Sequence, residues 1–85
     1  MSKVLVYGLK LSGESVVEFL NNKCDIIVYD ENEKTLSDFC LYKSSMYSFK
    51  RLESLKDFEN LDLVVKSPGI SDQNKLVQYL KRKKI

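Results

Sequence analysis

Apolar residues along the chain fall into short β-branched runs separated by segments with helical spacing, a pattern that predicts strands alternating with helices. Val4, Leu5, Val6 and Tyr7 form the first run and Gly8 bounds it, the signature of a strand buried on both faces of a parallel sheet. Val16, Val17 and Leu20 then share one helical face, so a helix is predicted from the turn at Gly13 to the neighbourhood of Leu20. Ser12 is its candidate N-cap, and Asn21 and Asn22 supply residues tolerant of left-handed backbone at its end. Asp25, Ile26, Ile27, Val28 and Tyr29 repeat the strand signature, which closes in Asp30, Glu31 and Asn32. Leu36, Phe39 and Cys40 predict a short amphipathic helix between Glu33 and Cys40, and a weak third strand is expected near Ser45 to Phe49.

Leu52, Leu55 and Phe58 recur at a spacing that predicts a turn or two of helix, leading to a fourth strand from Leu61 to Lys66. Ser67, Pro68 and Gly69 end that strand in a turn, because proline fixes φ and glycine is free to take positive φ. Ser71 or Asp72 is expected to cap a last helix carrying Leu76, Val77 and Leu80, and Lys84-Ile85 resembles the opening of a fifth strand. Strands alternating with helices imply βαβ units. The expected fold is α/β: a single Rossmann-like domain over residues 1–85, a three-layer sandwich with a parallel sheet of about four to five strands in the order 3-2-1-4-5. In such a sheet the C-terminal strand ends share one rim, and ligands bind where the strand order reverses, between strands 1 and 4. Three loops fall on that rim, Gly8 to Gly13, Asp30 to Asn32 and Ser67 to Ile70.

Composition narrows the function classes. At 85 residues, 44% hydrophobic and 31% charged, the chain has the make-up of one small globular domain with a thin core. No apolar run approaches the roughly 18 residues of a membrane helix, and Lys3 leads into a strand with no cleavage signal, so the cytoplasm is the expected compartment. A formal charge of +2, with no aromatic residues interleaved in a basic stripe, does not argue for a nucleic-acid partner. The basic run Lys81-Arg82-Lys83-Lys84 suits a solvated helix C-terminus. Cys24 and Cys40 are too few for a disulfide framework and are expected to be small core residues, and with no histidine a metal site or a histidine-assisted nucleophile is not expected.

The candidate chemistry is therefore binding. Gly8-Leu9-Lys10-Leu11-Ser12-Gly13 keeps the first and third glycines of the dinucleotide fingerprint but places lysine at the second, where a Cβ obstructs the approach of a pyrophosphate to the backbone. A helix N-terminus there still offers free amides to a phosphate, assisted by the Ser12 hydroxyl and the Lys10 ammonium. Asp30 stands where an acidic residue reads a ribose hydroxyl in NAD-binding folds, or else caps the helix that follows. Ser67, Pro68 and Gly69 sit at the end of a central strand, on the expected ligand rim or as a plain turn. The scattered carboxylates offer no general acid-base pair.

Taken together, the stretch from Tyr7 to Gly13, Val28-Tyr29-Asp30, and Val64 to Ile70 with its Ser67-Pro68-Gly69 resemble the N-terminal domain of the Mur ligases, nearest to the branch that adds D-glutamate to peptidoglycan precursors. The resemblance implies a domain that holds the uridine diphosphate end of UDP-N-acetylmuramoyl-L-alanine. It implies that Leu9, Lys10, Leu11 and Ser12 lie beside the uridine diphosphate, that Asp30 and Glu31 meet the uracil edge, and that Ser67, Pro68 and Gly69 approach the diphosphate. It also implies central and C-terminal domains of the same enzyme, outside this chain, with ATP and magnesium bound in the central one. The Gly-rich loop ending in Lys-Thr that would bind ATP occurs nowhere in these residues, so no catalytic residue is expected here and the chain is read as a truncated N-terminal domain. Two positions depart from the family pattern: Lys10 replaces its middle glycine, and Asn32 stands where arginine is frequent. The alternatives are an NAD(P)-binding regulatory or dehydrogenase domain, and an interaction module without a ligand.

Overall fold

A computed structural model describes residues 2–10, 13–68, 70–71 and 73–82, with the Leu55 side chain left out. Strands β1 (Lys3–Tyr7), β2 (Asp25–Tyr29), β3 (Lys50–Arg51) and β4 (Leu63–Lys66) alternate with helices α1 (Gly13–Leu20), α2 (Glu33–Lys43) and α3 (Lys75–Arg82). A 3-10 turn, Leu55–Phe58, precedes β4. The sheet has the order β3-β2-β1-β4, and every pairing is parallel. The expected 3-2-1-4 order is thus observed, while the expected fifth strand falls on residues outside those described.

Side chains alternate between the two faces of a strand, and the central strands are apolar on both. Val4, Val6, Ile26 and Val28 face α1 and α2, packing with Leu9, Val17, Leu36 and Phe39. Leu5 and Ile27 face the other way, onto Phe58 of the 3-10 turn and Leu80 of α3. Burial of each such side chain is worth about 1.5–3 kcal/mol, which holds the three layers together. Cys24 and Cys40 are free thiols, half-buried against the α1–α2 side of this core. Lys81 and Arg82 occupy the last turn of α3, where cations offset the helix dipole.

Several local expectations are corrected. The third strand is Lys50–Arg51, paired with Ile27 and Val28, and not Ser45 to Phe49. The reason is that α2 runs on past Cys40 to Lys43, and the turn after it consumes the next residues, with Met46 and Tyr47 N–H both donating to the Lys43 carbonyl. Tyr47 and Phe49 then serve the core by side-chain packing, Phe49 with its ring 5.3 Å from that of Phe39. Helix α2 is capped by Asn32, whose Oδ1 accepts from the Thr35 N–H at 3.0 Å, and not by Asp30. Helix α3 begins two or three residues later than expected: Asn74 Oδ1 accepts from the N–H groups of Leu76 and Val77, while the Ser71 hydroxyl accepts from the Gln73 N–H, ahead of the helix. Asp72 lies outside the described residues. Asn22 takes φ 67°, the left-handed conformation expected at the end of α1.

Candidate functional site

The rim is built from the ends of β1, β2 and β4. Gly8 leaves β1 with φ 99° and donates its N–H to the Tyr29 carbonyl at 2.9 Å. A Cβ at Gly8 would stand 2.6 Å from the Cβ of Ser67, so glycine here lets the turns after β1 and β4 touch. Gly13 opens α1 against the same turn, and a Cβ there would lie 2.6 Å from the Gly8 carbonyl oxygen. Both glycines of the sequence motif are required by close approach. Between them, Leu9 is buried in the core facing α1 and α2, and Lys10 is exposed. Leu11 and Ser12 lie outside the described residues, so their expected contacts and the Ser12 cap do too.

Asp30 reaches back across the sheet to the glycine turn. Its Oδ2 accepts from the Leu9 N–H and its Oδ1 from the Asn32 N–H, each at 2.9 Å. The side chain expected to read a sugar or a base thus organises the backbone of two rim loops. Glu31, its exposed neighbour, points in another direction. Its Oε1 accepts from the Tyr7 hydroxyl at 2.5 Å and from the Asn74 amide nitrogen. Tyr7 is fully buried at the end of β1, its ring 5.5 Å from that of Tyr29, and its side chain serves the rim through the hydroxyl. Burial, then the Glu31 carboxylate, push the Tyr7 phenol far above its ordinary value. The Tyr7 and Asn74 hydrogen bonds hold the Glu31 carboxyl below the usual range.

The turn after β4 completes the rim. Ser67 donates its N–H to the Tyr7 carbonyl at 2.9 Å and accepts from the Ile70 N–H at 3.0 Å, and the Lys66 ammonium closes on the Ile70 carbonyl at 2.7 Å. Pro68 is exposed at the tip; Gly69 lies outside the described residues. The structure therefore brings Gly8, Leu9, Asp30 and Ser67 into one hydrogen-bonded assembly and leaves Lys10 exposed beside it. A hollow of about 320 Å³ flanks Lys10, walled by Leu9, Glu14, Phe39 and Tyr42. A hollow of about 420 Å³ lies at the opposite end of the strands, near Lys3, Cys24 and Asp25, remote from this assembly.

Sequence reading missed Tyr7 and Asn74 as polar members of the site. A tyrosine ending a doubly buried strand was the available signal, because its hydroxyl must find a partner. Asn74, directly before the apolar repeat of α3, carried the cap signal that Ser71 and Asp72 drew away. Among the described residues no group of three His, Cys, Asp or Glu side chains is placed to hold a metal ion, and no helix is long and apolar enough to cross a membrane. The Gly8, Leu9, Asn32 and Ser67 amides are spent inside the rim, so what it offers an anionic ligand is the N-terminal end of α1 and the exposed Lys10 ammonium.

Comparison with known proteins gives the same direction. The family model for the Mur ligase MurD-like N-terminal domain matches residues 2–85. Similar curated proteins include the UDP-N-acetylmuramoylalanine–D-glutamate ligases of Rickettsia felis, 37% identical over 93% of this chain and 17% of the relative, and of Rickettsia conorii, 38% identical over 93% and 15%. That of Thermoanaerobacter pseudethanolicus is 38% identical over 98% of this chain and 19% of the relative. The chain spans less than a fifth of the length of the relatives from Rickettsia. No solved structure matches it significantly. With the parallel sheet, the two sterically required glycines and a family match over nearly every residue, the chain belongs to the MurD-like N-terminal domain family of the Mur ligases.

Proposed function

We propose that this domain binds and orients the uridine diphosphate end of UDP-N-acetylmuramoyl-L-alanine for a cytoplasmic, ATP-dependent ligase that adds D-glutamate in peptidoglycan precursor synthesis. The observation that carries the reading is the meeting of the β1 and β4 turns at Gly8 and Ser67, at the point where the strand order reverses, with the N-terminus of α1 and the exposed Lys10 beside it. The names of the relatives supply the substrate. In this reading Lys10 and the N-terminal end of α1 serve the diphosphate, and the likeness to the family assigns Leu11, Ser12, Ser67, Pro68 and Gly69 to the same ligand, while Leu9, whose side chain is buried in the core, contributes through its place in the glycine turn. Asp30 shapes the uracil end chiefly by fixing the loop backbone, since both its oxygens already accept from amides. ATP and magnesium supply phosphoryl activation of the substrate carboxylate from domains outside this chain, which has no Gly-rich loop ending in Gly-Lys-Thr.

Calorimetric titration of the 85-residue chain with UDP-N-acetylmuramoyl-L-alanine tests the proposal. Saturable binding is expected, weakened about three- to tenfold by Lys10→Ala through loss of one charge-assisted phosphate contact and by added salt. Binding of NADH with none of the uridine nucleotide is the result that would replace this reading with a dinucleotide-binding one. Binding of neither would leave an interaction module.

A further inference from the structure

Glu31, Tyr7 and Asn74 come from three separate elements: the loop after β2, the end of β1 and the residue preceding α3. They converge through one carboxylate oxygen, Glu31 Oε1, which accepts from the Tyr7 hydroxyl and the Asn74 side-chain nitrogen. Asn74 has its own Oδ1 engaged with the first turn of α3, and that oxygen also lies 3.3 Å from the Tyr7 hydroxyl. The three side chains thus form a strap that crosses the top of β1 from the β2 loop to α3, on the face opposite α1 and α2. It is firmly tied at the Tyr7 end, because that ring is fully buried and packed against Tyr29.

We infer that Tyr7 and Asn74 are positioning residues for the nucleotide rim: they hold the Glu31 carboxylate away from the ligand and brace the loop from which Asp30 clamps the glycine turn. The inference rests on the uridine-nucleotide reading of the rim and deepens it. Its physical basis is adjacency. Asp30 fixes the Leu9 and Asn32 amides only while its own backbone is held, and Glu31 is the next residue along. A carboxylate free to swing over the rim would also repel a diphosphate, whereas one bound by a buried hydroxyl and an amide keeps its charge but is fixed in place on the far face of the strap. The raised phenol and lowered carboxyl are consistent with this mutual hold.

The test uses the 85-residue chain with UDP as probe and two readouts, amide hydrogen exchange in the free protein and affinity by titration. Tyr7→Phe keeps the ring and removes only the hydroxyl. It is expected to speed exchange at Leu9 and Asn32 and to weaken UDP binding about fivefold, the loss of one hydrogen bond's worth of order. Glu31→Ala is expected to do the same, and the double variant Tyr7→Phe/Glu31→Ala no more than either single change. Glu31→Gln, which keeps an acceptor for both partners, is expected to bind as tightly as the parent or more tightly. Additive losses in the double variant, or weak binding by Glu31→Gln, would overturn the inference by making Glu31 a direct ligand contact. Unchanged Leu9 and Asn32 exchange in Tyr7→Phe would overturn it independently of any ligand. Absence of UDP binding by the parent chain would instead bring down the proposed function, and the exchange rates would still decide whether the strap braces the loop.

Discussion

At the scale of single residues, the site depends on what is absent from Gly8 as much as on what Asp30 provides. Gly8→Ala would force an L-residue into φ 99° and drive a methyl to 2.6 Å from the Ser67 Cβ. The expected cost is about 3 kcal/mol, the sum of backbone strain and overpacking, read as a lowered urea midpoint at unchanged slope. Asp30→Ala should cost about 1.5–3 kcal/mol, because it strips a charged acceptor from two backbone amides. Asp30→Asn should cost nearly as much, since one of its two positions becomes a donor facing an N–H. A role limited to ligand contact would leave the stability of both Asp30 variants unchanged. The glycine spacing was legible in the sequence, because steric demands at a strand-to-helix turn are local. The Asp30 clamp was not, because its partner, the Leu9 N–H, lies across the β1–β2 pairing and no spacing rule reveals it.

At the scale of elements, the alternation of β-branched runs with helical spacing specified the parallel sheet and its order, whereas the weak elements moved. Strand β3 illustrates why. Two residues, Lys50 and Arg51, pair with β2, and both are charged, so the ladder itself left no hydrophobic trace. The aromatic residues that suggested a strand a few positions earlier, Tyr47 and Phe49, are bought by packing on α2 and the core beneath it. Helix starts moved for a related reason: several residues ahead of α3 could cap it, and only the tertiary link from Asn74 to Glu31 singles one out. Asn74→Ala is expected to lose about 0.5–2 kcal/mol, with the greatest gain in amide exchange at Leu76 and Val77. Ser71→Ala should be close to neutral, because among the described residues its hydroxyl serves the Gln73 N–H, ahead of the helix.

For the molecule as a whole, Asp57 and Tyr7 carry the largest shifts that tie stability to pH, one at each end of the scale. Asp57 accepts from the Glu53 and Ser54 amides and from the Lys50 ammonium, and its carboxyl is held at about 2 against an ordinary 3.8. A lowered folded value means a contribution fully present above 3.8 and lost as pH falls toward about 2. Asp57→Asn should therefore be less stable than the parent at neutral pH, with the gap closing through that acid window in chemical denaturation. Tyr7 acts at the other end. Its raised phenol means a contribution present below the ordinary value of 10.0 and eroded as pH climbs above it, an erosion that Tyr7→Phe should lack. The central claim, however, concerns the rim. The most direct measurement is backbone amide shift mapping on the labelled chain during titration with UDP-N-acetylmuramoyl-L-alanine and, in parallel, NADH. The account predicts saturable shifts with the uridine nucleotide at Gly8 to Lys10, Gly13, Asp30 to Asn32 and Ser67; saturable shifts at those positions with NADH alone would contradict it.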